Sequence, residues 1–289
     1  MSPTIGVFDS GFGGLTVLRA LIERFPHARF VFLGDTARLP YGSKSRRTIA
    51  RYAAQSARFL VHEQGAEFLV IACNTASALA LDAIEEAVPA VPVLGVIEPG
   101  AAAARQASRS GDVLVLATEA TVQSHAYAAA CRAHGLRALE KACPLLVPLV
   151  EEGWTDHPVT AEVIRIYWEE LRAEAAAQGM NPDALVLGCT HYPLLRPLIE
   201  GAVRPGIKVI DSAQSAAGAA VQLFNGRAGR PILSESAPAE PDRGGDAANS
   251  PLQTEIRCFA TDSVEKFERL GSRFLERPVG TVELVDLGE

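Results

Sequence analysis

Short, unbroken apolar runs recur along the chain, separated by longer stretches with helical spacing. The runs at 5–8, 30–33, 68–72, 93–97, 113–117, 185–188, 209–211 and 256–260 predict strands. Because successive side chains point to opposite faces of a sheet, runs without polar alternation suit strands covered on both sides. Between them, 48–62, 75–87, 121–133, 160–177 and 212–224 predict helices, as does 15–25. Many of these open on a Thr or Ser that can cap the first free N–H groups. Such alternation predicts an α/β fold with largely parallel sheets. Glu98-Pro99-Gly100 reads as a break and a lobe boundary. The stretch 234–254, rich in Ala, Pro, Gly, Asp and Ser, carries neither period and reads as a flexible surface insertion.

Composition narrows the function classes. With 289 residues, 48% of them hydrophobic, the chain can bury one large core or two ordinary ones, and two lobes are expected. A net charge of −7 without a basic block argues against a nucleic-acid surface. No apolar run approaches the roughly 20 residues of a membrane span. Residues 1–8 lack a charged lead and a long apolar stretch, so a cytoplasmic protein without a secretory signal is expected. The five cysteines form no Cys-x-x-Cys pair and no disulfide framework, so reduced thiols and no metal site are expected.

Two of those cysteines stand apart. Cys73 in Ala72-Cys73-Asn74-Thr75-Ala76 and Cys189 in Gly188-Cys189-Thr190-His191-Tyr192 each sit where an apolar run meets a helix start. A thiol with an ordinary pKa of about 8.5 can act as base or acid near neutral pH. Matched thiols from separate parts of the chain suit proton removal on one face of a carbon and delivery on the other, which is racemisation. Cys131, Cys143 and Cys258 lack this context and read as small buried hydrophobes.

Other residues fit the same chemistry, each with a plainer alternative. The loop Phe8-Asp9-Ser10-Gly11-Phe12-Gly13-Gly14 lies at a strand's carboxyl end, where open α/β sheets bind ligands. Thr16 replaces the third glycine of a dinucleotide fingerprint and no P-loop lysine follows, so a small anion is the better occupant. Asp9 alone could be a cap or turn residue. Pro40-Tyr41-Gly42 offers N–H groups and an aromatic wall, or is simply a tight turn. His191 suits a proton relay to Cys189 or a backbone-bonded helix start. Either Glu151 or Glu152 could bring a carboxylate to it.

Together these motifs resemble the glutamate racemase family of cofactor-independent amino-acid racemases, which supply D-glutamate for peptidoglycan. The resemblance rests on Gly6-Val7-Phe8-Asp9-Ser10-Gly11, Asp35 with Pro40-Tyr41-Gly42, the two cysteine turns, and Val147-Pro148-Leu149-Val150-Glu151, and runs from the first strand to about Asp211-Ser212. It implies two pseudo-symmetric α/β lobes, 1–97 with 211–289 and 98–210, with the active site between them. It implies Cys73 as the base for D-glutamate and Cys189 as the base for L-glutamate, assisted by Asp9 and by Glu151 with His191 respectively. Ser10, Pro40, Tyr41, Gly42, Asn74, Thr75, Thr121, Thr190 and His191 are the implied substrate-binding positions. No cofactor and a homodimer are implied.

Three rival readings remain at this point. An aspartate or hydantoin racemase would also carry two such cysteines. A thiol-nucleophile hydrolase would use Cys73 covalently with His191 as base. A two-lobed amino-acid binding protein would use the loops without chemistry.

Overall fold

The apolar runs become the interior of two all-parallel sheets in the computed structural model, which describes residues 2–228 and 254–288. The strands are β1 (Thr4–Asp9), β2 (Arg29–Gly34), β3 (Phe68–Ile71), β4 (Val93–Gly95), β5 (Asp112–Ala117), β6 (Arg137–Ala142), β7 (Ala184–Gly188), β8 (Lys208–Asp211), β9 (Ile256–Ala260) and β10 (Val282–Leu284). One sheet has six strands in the order β10-β9-β2-β1-β3-β4, and the other four in the order β6-β5-β7-β8.

The pseudo-symmetry lies in the strand order. Each set of four consecutive strands is wound second-first-third-fourth, so β1 and β5 correspond, as do β3 and β7. Neighbouring central strands in this winding send their following loops to opposite sides, which opens a crevice at their carboxyl ends. Cys73 follows β3 and Cys189 follows β7, at equivalent places in the two sheets.

The sheets share one core. Its largest apolar cluster joins Ile5, Val7 and Phe32 of the six-stranded sheet to Leu114, Leu185 and Leu187 of the four-stranded one. Separate clusters cover the outer face of each sheet, around Leu33 and Ile71 in one and Val113 and Val186 in the other. Burial on both faces explains why the central strands read as continuous apolar runs.

Several local expectations need correction. Glu98-Pro99-Gly100 is no break, because it forms the first turn of a helix at Ile97–Ala107. Proline is tolerated there since its missing N–H would have had no intrahelical acceptor. The expected Thr caps at 75, 121 and 160 are helix residues or buried hydroxyls instead. The capping atoms are the Ser45 hydroxyl, the Cys73 sulfur and His157 Nδ1. The helix expected over 75–87 is two, Asn74–Leu79 and Leu81–Ala87, and that over 121–133 divides at His125, whose φ is +54°. The insertion at 234–254 lies outside the described residues apart from Thr254, whose hydroxyl donates to Pro26 O. No helix among the described residues is long and apolar enough to cross a membrane.

Candidate active site

The loops after β1, β3, β5 and β7 meet around one cavity of about 230 Å³. Both Cys73 and Cys189 line it, with Ser10, Pro40, Tyr41, Gly42, Asn74, Thr75, Glu151, Thr190 and His191. The two thiols, 5% and 6% exposed, are therefore buried yet open to a common ligand space. Each comes from a different sheet, Cys73 after β3 and Cys189 after β7.

Around Cys73 the groups come from the six-stranded sheet. Its Sγ accepts the Ala76 N–H at 3.4 Å and donates to Ser10 Oγ at 3.3 Å. Burial and the nearby Asp9 carboxylate push the thiol up to about 12, against the Ser10 and Ala76 hydrogen bonds, so it rests protonated. Asp9 ends β1, one strand over, with Oδ2 accepting the Gly11 N–H at 3.0 Å. Its Oδ1 is buried without a partner. Burial raises the Asp9 pKa, with the charge of His191 opposing. Asp9 therefore stands behind the cavity wall and acts on Cys73 through its charge.

Around Cys189 the groups form a line. Cys189 Sγ lies 3.9 Å from His191 Nδ1, and His191 Nε2 lies 3.4 Å from Glu151 Oε1. Burial alone would depress the imidazole, but the contacts with Cys189 and Glu151 raise it to about 10. Glu151, the last residue of the helix Leu146–Glu151, is held ionised against its own burial by His191 and Lys266. The imidazole is also packed against Phe274 and Phe12, with ring centroids 5.1 and 6.3 Å away.

The two thiol turns are not identical. Cys73 caps an α-helix, whereas Cys189 precedes a tight turn and a 3-10 segment, Tyr192–Leu195. His191 occupies that turn, and the shorter spacing brings its ring back beside the sulfur.

Groups able to bind a substrate line the same cavity. Tyr127 OH donates to Asn74 Oδ1 at 2.7 Å, which leaves the buried Asn74 Nδ2 unpartnered at the cavity. A buried donor of this kind costs free energy until a ligand accepts from it. Tyr41 is fixed by its hydroxyl, which donates to Asp35 Oδ2 at 2.5 Å, while Arg38 and Thr261 hold Oδ1. Asp35 in the second motif thus supports Tyr41 from behind. Thr121 is wholly buried and bonded to Thr118 at 2.9 Å and Thr75 at 3.3 Å, while Thr118 and Thr75 themselves line the cavity. Sequence reasoning missed Thr118 and Lys266. Thr118 had a readable signal in its place directly after β5, the counterpart of Ser10 near the end of β1. Among the described residues no cluster of His, Cys, Asp or Glu is placed to hold a metal ion.

The chain matches the Asp/Glu/Hydantoin racemase family over residues 8–220. It is 53% identical over 293 residues to a glutamate racemase of Koribacter versatilis (strain Ellin345), covering 99% of this chain and 98% of that relative. A glutamate racemase of Francisella tularensis subsp. tularensis SCHU S4, solved in complex with D-glutamate, superposes with a TM-score of 0.82 at 33% identity, covering 99% and 98% of the two chains. That of Thermus thermophilus, solved in complex with β-chloro-D-alanine, gives a TM-score of 0.80 at 38% identity, covering 99% and 97%. By motif, winding and similarity along its whole length, this chain belongs to the Asp/Glu/hydantoin racemase family.

Proposed function

We propose that the chain interconverts L- and D-glutamate by direct proton transfer at the α-carbon, with Cys73 and Cys189 as the two acid–base groups. The observation that carries this reading is the placement of both thiols on one cavity, each contributed by a different sheet. One thiolate takes the α-proton as its C–H bond breaks, and the opposite thiol supplies the proton that forms the new one. Each turnover leaves the two sulfurs with exchanged protonation, so solvent must return the enzyme to its starting form.

Named residues take distinct parts. Cys73, resting as a thiol, donates during conversion of L- to D-glutamate, with Asp9 favouring its protonated state. His191, held by Glu151, exchanges a proton with Cys189. Asn74 Nδ2 and the hydroxyls of Ser10, Thr75 and Thr190 are donors for the carboxylates, with Pro40, Tyr41 and Gly42 forming the adjoining wall. Thr121 orients Thr75 and Thr118. Such fixed donors stabilise carbanion charge as it develops because they need no reorganisation during the reaction.

The reading divides the chain into two lobes, 1–97 with 211–289 and 98–210, a division that the separate sheets support. A cytoplasmic homodimer supplying D-glutamate for peptidoglycan extends the same reading, on the strength of the motif resemblance. Polarimetry tests the activity without added cofactor: the rotation of L-glutamate should decay to zero while that of L-aspartate persists. Persistence of the glutamate signal overturns the proposal, and decay of aspartate alone transfers it to the neighbouring specificity.

A further inference from the structure

Glu151 is shared between two cations, one per carboxylate oxygen. Oε1 faces His191 Nε2 at 3.4 Å, and Oε2 accepts from Lys266 Nζ at 3.2 Å. Lys266 belongs to the helix Val264–Leu275, which follows β9 of the six-stranded sheet, whereas Glu151 ends a helix that follows β6 of the four-stranded sheet. The pair therefore crosses between the two halves at the edge of the cavity.

A second contact runs alongside it. The Arg273 guanidinium lies against the backbone of Gly153, whose φ is +81°, so closely that a Cβ there would collide with Nη1. Lys266 and Arg273 are seven residues apart, hence on one face of their helix. Both cations reach the carboxyl end of Leu146–Glu151, where the helix dipole favours positive charge. Lys266 Nζ also lies 5.6 Å from the centroid of Phe12, the ring packed against His191. The ammonium is thus located by two neighbours, the Glu151 carboxylate and the Phe12 ring, although its side chain is 41% exposed.

His191 depends on this arrangement. The contact between Nε2 and Glu151 is an ion contact without hydrogen-bond geometry, and Nε2 has no other partner. A carboxylate on a rotatable side chain would swing toward solvent unless its second oxygen were held. We propose that Lys266 is a positioning residue for the racemisation: reaching across from the other half of the chain, it keeps Glu151 turned to His191 and so aligns the imidazole with Cys189.

The inference rests on the proposed two-thiol reaction, and its test separates the two. Lys266→Met and Lys266→Arg are compared with the wild-type full chain, first by following the His191 imidazole through a pH titration by NMR without substrate. The titratable groups acting on that ring are Cys189, Glu151 and Asp9, with Lys266 reaching it through the second oxygen of Glu151. If Lys266 holds Glu151 in place, Lys266→Met releases the carboxylate and His191 titrates at lower pH. If Lys266 is merely a competing cation, its removal raises the titration, which overturns the inference, as does no change at all.

Kinetics supply the second readout. The enantiomers are equal in free energy, so kcat/KM must fall equally in both directions, by roughly tenfold in Lys266→Met, with recovery in Lys266→Arg. The α-deuterium isotope effect should rise for L-glutamate, whose proton passes to Cys189, and fall for D-glutamate. Equal isotope effects in wild type and Lys266→Met overturn the inference. An inactive wild type instead overturns the two-thiol reading, and the substrate-free titration still decides the role of Lys266.

Discussion

Gly13 of the first loop lies directly against the second thiol turn, which makes Gly13→Ala a sharp perturbation. A Cβ built there would collide with Thr190 Oγ1 and come within 2.7 Å of both His191 Cε1 and Nδ1. Ordinary carbon contacts lie at about 3.5–4.0 Å, so the imidazole or the loop must retreat by about 1 Å. The Cys189 to His191 separation, already 3.9 Å, would then leave hydrogen-bonding reach. Displacement of this size costs on the order of 100-fold in rate, whereas overpacking costs only about 1–3 kcal/mol of stability. The expectation is a folded protein, somewhat lower in melting temperature, with kcat/KM reduced about 100-fold equally for both enantiomers. Circular dichroism follows both quantities, turnover from the substrate signal and unfolding from the backbone signal. Gly218→Ala is the control, because a Cβ there meets nothing within 4 Å, and in a helix it should add about 0.5–1 kcal/mol without affecting turnover. Wild-type kcat/KM in a folded Gly13→Ala would refute the reasoning.

Other residues give independent tests. Cys73→Ser and Cys189→Ser should each nearly abolish racemisation, whereas Cys258→Ser, buried in β9 and outside the cavity lining, should leave turnover near normal; loss of activity in folded Cys258→Ser would show that the cysteines are wrongly divided. Tyr41→Phe removes the donor to Asp35 Oδ2 and should cost about 1.5–3 kcal/mol of stability by thermal unfolding, as expected for a bond to a charged acceptor, with a raised KM for glutamate. His191 titrates at about 10 folded against 6.5 for the free side chain, so its contribution to stability is full below about pH 6.5 and is lost as pH rises through about 10. Denaturant titrations from pH 6 to 10 should show that decline in wild type and a shallower one in His191→Gln; parallel profiles would contradict it.

The central strands were legible because they are buried on both faces and carry unbroken apolar sequence. β6 was not, since Arg137, Glu140 and Lys141 interrupt it at a sheet edge where one side meets solvent. β10, three residues at the other sheet's edge, leaves too short a pattern. The return of β9 and β10 to the first sheet is a long-range pairing that no local period encodes, and only the motif resemblance implied it. At the site, the cysteine turns were readable from their strand-to-turn context. Lys266 was not, because its partner Glu151 lies 115 positions away and a surface lysine on an amphipathic helix looks like any other. Thr121 shows the opposite limit, an expected substrate-binding hydroxyl that the fold places behind Thr75 and Thr118, outside the cavity lining.

The fate of the α-hydrogen tests the central claim most directly. L-Glutamate is incubated with the enzyme in deuterium oxide, and the two enantiomers are separated at early conversion and weighed by mass spectrometry. Two thiols acting from opposite sides predict D-glutamate carrying deuterium at the α-carbon from the first turnover, with the remaining L-glutamate still protiated. D-Glutamate that retains the original protium would mean that a single group moves the hydrogen across, and would contradict the account.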